Sequence, residues 1–230
     1  MKRIIIISLV ALFISFTASA QENRKAKVFQ MSMFANIGTK TLNFKNLENI
    51  PMPKVGYNLG AGAYWSYKSI LFSSDFYYSQ ASEENSVNKT NYNAFANTLY
   101  LGYKVIDNYY ITLAPLAGIA ITNNKISVYD KNFTGNTLNS TNAYTITNHD
   151  FALRLGLNFE AVVYHENTIG IVLGYDHSFK GNSEWQIEGT NLGSGISDNL
   201  SGFFINITIG GRLFLTEGMN KDTKNSIIIE

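Results

Sequence analysis

The chain has three histidines and no cysteine, a thin supply of the side chains that usually act as bases, nucleophiles or metal ligands near neutral pH. His177 stands beside Ser178, so a base and a hydroxyl are neighbours there. In an extended segment adjacent side chains point to opposite faces, whereas an activated nucleophile needs its base within hydrogen-bond reach. His149, before a strand-like segment, and His165, in a tight turn, read as solvated polar residues. No HExxH, GxSxG, phosphate-binding glycine loop or paired metal-ligand spacing occurs. We therefore predict no catalytic, cofactor or metal site. The chemistry on offer is ionic: Asp75, Lys104, Arg154, Glu160, Asp176 and Arg212 fall at positions whose neighbours in the pattern are Gly, Ser, Thr or Asn. Charges embedded in such surroundings pair with one another or line a polar passage.

The elements that hold them are strands. In residues 151–163, Phe151, Leu153, Leu155, Leu157, Phe159, Ala161 and Val163 form one wholly apolar set, and Arg154, Gly156, Asn158 and Glu160 fall in the other. A period of two means a strand. Small and charged residues on one face with grease on the other suit a narrow barrel whose outside meets lipid. Seven further segments repeat the pattern, near 29–37, 55–67, 70–79, 95–105, 111–121, 169–178 and 203–215. Pro115 falls inside one of them and predicts a bulge. Connections alternate between tight, at Lys68-Ser69, Ile106-Asp107-Asn108 and His165-Glu166-Asn167, and long and polar, near 39–53, 80–93, 123–149 and 180–199. The reading is an all-β protein: an eight-stranded antiparallel up-and-down transmembrane barrel with short periplasmic turns and long extracellular loops. Pairing Tyr67 with Ile70, Val105 with Tyr109 and Tyr164 with Glu166 keeps the faces matched across each tight turn, and the last register sets Arg154 opposite Asp176.

Lys2 and Arg3 precede an apolar run, Ile4 to Phe16, and Ala18-Ser19-Ala20 ends before Gln21, the layout of a cleaved signal peptide over 1–20. The run is shorter than the roughly 20 residues of a membrane helix. Its removal takes away two of the 18 basic residues and none of the 17 acidic ones, moving the formal charge from +1 to −1 and giving no electrostatic case for nucleic acid. The barrel domain is assigned to 21–215 and a polar periplasmic tail to 216–230. The sequons at Asn88, Asn132 and Asn139 follow from high Asn and Thr content and carry no weight.

Aromatics gather near strand ends, with Trp65, Tyr67, Tyr103, Tyr109 and Tyr164 low and Phe76, Tyr78, Phe95, Phe151, Tyr175 and Phe203 high, as two interfacial girdles would require. With this pattern the chain resembles the small eight-stranded outer-membrane barrels of Gram-negative bacteria, the group of the outer-membrane protein A membrane domain, protein X, the opacity proteins and related Bacteroidota barrels. The sharpest local match is Thr208-Ile209-Gly210-Gly211-Arg212-Leu213-Phe214-Leu215, in which Thr208, Gly210, Leu213 and Leu215 fit the family's assembly signal. The tail after Leu215 departs from relatives that end on an aromatic residue. The resemblance implies residence in the outer membrane among lipid and lipopolysaccharide, and handling by the barrel-assembly machinery. Lipid-A-hydrolysing barrels place His and Ser two residues apart on one face, unlike His177-Ser178. Barrel proteases need ten strands, and the palmitoyl-transferring barrel carries an N-terminal amphipathic helix for which 21–25 leave no room.

An eight-stranded interior is just wide enough for side chains to fill. The six charges are therefore expected to form a plugging salt-bridge network. Residues 123–149 are expected to extend two strands as a protruding hairpin whose edge invites strand addition by a protein partner, and Trp185 and Ile187 to sit in a solvated last loop. The expected role is non-enzymatic, structural or interactive, through the outer loops. The alternatives are a narrow channel or a transport or secretion-complex component, a lipid-A-modifying enzyme, and a soluble lipocalin-like barrel with its faces reversed.

Overall fold

The computed structural model describes residues 29–44, 50–131, 143–179, 183–187, 193–198 and 200–215. The proposed signal peptide and C-terminal tail lie outside the described residues. Eight strands make the barrel wall: β1 (Phe29–Thr41), β2 (Val55–Tyr67), β3 (Ile70–Glu84), β4 (Asn88–Tyr103), β6 (Ile111–Asp130), β7 (Ala143–Tyr164), β8 (Asn167–Ser178) and β11 (Gly202–Leu215). A two-residue strand, β5 (Ile106–Asp107), lies in one turn, and β9 (Ser183–Ile187) and β10 (Gly193–Asp198) lie in the last loop. Each wall strand pairs antiparallel with its sequence neighbour, and β11 closes on β1 with Gln30 opposite Phe214 and Lys40 opposite Phe204. Over the stretch paired around the whole ring, closure leaves no open edge among the described residues.

Stepping from partner to partner measures the tilt. Gln30 leads to Ser66, Leu71, Gly102, Leu116, Gly156, Gly174, Phe204 and back to β1 at Lys40, ten residues from the start. All of these positions fall on the inward face, so alternation persists around the whole ring. A stagger of that size over eight strands inclines them by about 40°. Phe151 to Ala161 then spans about 25 Å along the axis at roughly 3.3 Å per residue, the height of a membrane barrel's apolar band. Met33, Leu59, Leu101, Leu155, Ile207 and Ile209 are exposed on that band, while Arg154, Asp176 and Arg212 are buried inside. Aromatic rings meet across strands, Trp65 stacked on Phe72 at 5.8 Å and Tyr175 edge-on to Phe203 at 4.8 Å.

Several local expectations change. The β4–β6 hairpin pairs Leu101 with Ala117 rather than Val105 with Tyr109, and its turn closes through Asn108 N–H donating to Ile111 O at 3.0 Å. Faces survive because this register differs from the expected one by an even number. The bulge expected at Pro115 lies opposite it: Pro115 pairs normally with Leu157, and the extra residue falls in the chain between Gly102 and Ile106. Proline has no N–H to give that neighbour, so the ladder breaks on the partner's side. At the third tight turn Tyr164 pairs with Asn167, not Glu166, after a shift past Val162, which leaves Arg154 opposite Asp176 as expected. Lys68 and His165 adopt φ of 53° and 48°, as tight hairpin turns demand of their first residue.

The third connection is a hairpin rather than a long loop: β3 and β4 stay paired to Glu84 and Lys89, and Asn85 caps the turn by accepting from Val87 and Asn88 N–H. β6 and β7 run on together to Tyr129 and Ala143, as the alternation there suggested. The wall therefore stands far above the membrane on one side only. Ala81, Tyr92, Ala94, Ile126, Val128 and Ile146 line its inner face and are covered by Leu42, Phe44, Ile50, Met52, Leu200 and Trp185. Trp185 is fully buried and donates its indole N–H to Asp198 at 3.2 Å, which corrects its placement in a solvated loop. β9 carries it there by pairing with β7 beside Ile146 and Thr147. The edge expected to await a partner is thus occupied along that stretch by the chain itself.

Candidate functional site: a filled lumen

Strand parity turns all six predicted charges inward, and each is at most 6% exposed. The structure gathers five of them into two layers and leaves Asp75 between. The upper layer centres on Arg154, whose Nε and a terminal nitrogen donate to the two carboxylate oxygens of Asp176 at 2.5 and 2.7 Å. Two parallel charge-assisted bonds fix the guanidinium plane. Its remaining N–H groups reach Tyr100 Oη at 3.2 Å, Thr98 Oγ1 at 3.4 Å and Tyr77 Oη. The guanidinium carbon lies 4.4 Å from the Phe204 ring centre, and Phe204 fits because Gly174 lies beneath it, where an added Cβ would come within 2.8 Å of the ring and 2.1 Å of Leu155 O. Lys40 completes the layer, its Nζ 2.7 Å from Asp176. The sequence reading leaves Lys40 in the first loop; it shares the parity of Gln30, and carrying the alternation past Ile37 finds it.

The lower layer is a chain of bonds. Arg212 pairs with Glu160 and also donates to Thr112 Oγ1 at 3.1 Å and Tyr109 O at 3.2 Å. Tyr64 Oη donates to Glu160 at 2.7 Å and accepts from Gln30 Nε2 at 3.0 Å, while Gln30 Oε1 accepts from Lys104 Nζ at 2.9 Å. Lys104 continues to Asp107 at the rim, 3.3 Å away. Tyr64, Tyr77 and Tyr100 are the hydroxyls that connect the charges; Tyr77 was not singled out in the sequence, although its parity matches Asp75.

Asp75 stands apart. It lines a cavity of about 30 Å³ between the layers, together with Asn36, Tyr64, Tyr100, Asn158 and Asn206. One oxygen of Asp75 and both amide atoms of Asn36 are buried there without a protein partner. Those atoms ask for both donors and acceptors, which water supplies, and the volume suits about two molecules. A bare cation would satisfy the oxygens and oppose the amide N–H2.

The histidines and Ser178 do not converge. His177 is exposed, whereas Ser178 is buried on the inner face and bonds to Asp150 at 2.5 Å. His149 Nδ1 contacts Asn123 Oδ1 at 2.5 Å, and the His165 ring packs against Tyr164 at 4.1 Å. Among the described residues no group of three His, Cys, Asp or Glu is arranged to hold a metal ion. Of the assembly-signal positions, Thr208 and Gly210 face inward, Leu213 faces outward, and Leu215 pairs with Phe29 on the strand that closes the ring.

These features define a class: a closed eight-stranded transmembrane β-barrel with a filled interior. Among solved structures, a major outer membrane protein from Thermus thermophilus is similar over 80% of this chain and 99% of its own, at 13% identity and a TM-score of 0.55. Ail, the attachment invasion locus protein of Yersinia pestis, aligns over 81% and 99% at 13% identity with a TM-score of 0.45. Neisserial surface protein A aligns over 82% and 97% at 11% identity with a TM-score of 0.41. No family model matches the chain, and no curated protein matches it in sequence. The chain has the fold of the small outer-membrane β-barrels.

Proposed function

We propose that this chain is a non-enzymatic barrel of the outer membrane that anchors and presents an extracellular platform, the one-sided wall of β3, β4, β6 and β7 with its capping loops. The observation that carries this reading is the filling of the lumen. Two ionic layers are stacked below an apolar cap containing Tyr92, Ile126, Ile146 and Trp185. A barrel blocked at three levels has its useful surface outside. The polar chamber beside Asp75 favours a second reading, a narrow passage opened by rearranging the upper layer. Planar-bilayer recording separates the two. The platform reading expects conductance at background in the refolded mature chain and in Arg154→Ala; reproducible single-channel steps in the unmodified protein would establish a channel instead. Crosslinking in outer membranes, with and without residues 123–149, then tests the platform, with loss of a specific crosslinked partner expected on deletion.

A further inference from the structure

The two ionic layers close the chamber beside Asp75 unequally. Above it, Arg154 directs all its guanidinium N–H groups at buried partners, Asp176, Tyr77, Tyr100 and Thr98, drawn from β3, β4 and β8. The Phe204 ring lies against the guanidinium, and the apolar cap lies beyond. Freeing that side chain breaks a bidentate charge-assisted pair and its flanking bonds together, away from solvent. Below the chamber, closure is a single file of bonds. Lys104 Nζ donates to Gln30 Oε1 at 2.9 Å, Gln30 Nε2 to Tyr64 Oη at 3.0 Å, and Tyr64 Oη to Glu160 at 2.7 Å. Tyr64 and Glu160 themselves line the chamber, so they form its floor.

Lys104 is the first link of that file, and it has a second anchor in Asp107, 3.3 Å away and 40% exposed at the rim. An ion pair reached by solvent is cheap to make and to break. Lys104 also stands where the wall is least regular. It belongs to the stretch between Gly102 and Ile106 that leaves the β4–β6 ladder, and its backbone N–H is held by Ser69 O at 2.7 Å, so the side chain turns about a fixed point. The wall's other register shift, past Val162, is at the same end, whereas the ladders around the upper layer run without one. We propose that the chamber exchanges its contents with the tight-turn side alone: Lys104 leaves Gln30 for Asp107, Gln30 releases Tyr64, and the floor opens while the Arg154 layer stays shut. On the orientation proposed above, that side is periplasmic. The lumen is then a dead-end recess lined by Asp75, Glu160 and the amides of Asn36, Asn158 and Asn206. What enters it is water, or a solute of that size able both to donate and to accept.

The chain has no cysteine, so a single introduced thiol reports access without background. Ser73→Cys places it in the chamber and Asn124→Cys beneath the cap, where Asn124 Oδ1 accepts from Tyr92 Oη at 2.7 Å. The full mature chain is refolded into phosphatidylcholine nanodiscs, which leave both ends of the barrel open to solution, and capture of mercuric ion is timed by intact mass. The heat-dependent gel shift confirms that each variant is folded. Lys104→Ala should speed capture at Ser73→Cys about tenfold, the change in an opening equilibrium expected when one hydrogen bond to a charged group is lost, and leave Asn124→Cys unaltered. Trp185→Ala should do the reverse. Gln30→Leu cuts the same file without changing any charge and should match Lys104→Ala; it decides the matter if that variant does not fold. Capture at Ser73→Cys that is indifferent to Lys104→Ala and Gln30→Leu, or quickened by Trp185→Ala, overturns the proposal. Single-channel steps in Lys104→Ala would overturn it equally, since they would mean that the upper layer yields as well.

Discussion

Replacing Arg154 by Met removes the cation at the centre of the upper layer while keeping most of its volume. The side chain is 1% exposed, as is that of Asp176, so solvent screening does little to soften the loss. Breaking a buried pair from one side costs about 3–5 kcal/mol. Asp176 retains Lys40 at 2.7 Å, which holds the cost toward the lower end, near 3 kcal/mol. The layer holds two cations, Lys40 and Arg154, and one carboxylate, Asp176, and the second carboxylate that balances it is Asp75 at the adjoining chamber. With Arg154 gone and the Lys40–Asp176 pair intact, the uncompensated charge is Asp75. Arg154→Met/Asp75→Asn should therefore recover about half of the loss, a coupling of roughly 1.5 kcal/mol between side chains that form no direct ion pair. The assay is reversible urea unfolding in lipid vesicles, followed by emission of the chain's two tryptophans, with Trp65 on the lipid face and Trp185 in the cap. With a slope of about 1–3 kcal/mol/M the single variant should lower the midpoint by roughly 1–3 M. A shift below about 0.5 M, or a double variant less stable than the single one, would refute the charge balance inferred for the lumen.

Leu155→Arg and Ile207→Arg place a charge on the outward band near mid-height and should each cost about 2–4 kcal/mol in bilayers, read from the same urea midpoints; a cost near zero would mean that this surface does not face hydrocarbon. Gly174→Val drives a side chain toward Leu155 O and the Phe204 ring and should destabilise by about 1–3 kcal/mol, with the heat-dependent gel shift of the folded barrel appearing at a lower temperature. Trp185→Ala empties the centre of the apolar cap at a local cost of about 3–5 kcal/mol, so limited proteolysis should cut in 180–200 while leaving the strands below protected.

The amino-acid order settled the wall by itself, because a period of two admits one solution once grease and charge are separated. The faces of Arg154, Glu160, Asp176 and Arg212, the strand count and the parity across tight turns all follow from it. The pairing of Arg154 with Asp176 could be read as well, although the turn itself closes on Tyr164 and Asn167 and the shift past Val162 is what restores the expected register beyond it. Parity says nothing of height or of distance around the ring, and only closure supplied those. The stagger of ten residues brings Lys40 of β1 to Asp176 of β8, and Gln30 of β1 to Lys104 beyond β4, contacts between segments far apart in sequence. It likewise divides six inward charges into two layers with Asp75 left at the chamber between them. Loops obey no period, so the folding of Trp185 into the cap was not legible: its neighbours are Gly, Ser and polar residues, and what buries it is Phe44 of the first connection with Tyr92 and Ile126 from distant strands. Local alternation determined which way each wall side chain points, and the circumference of the closed cylinder decided which of them meet.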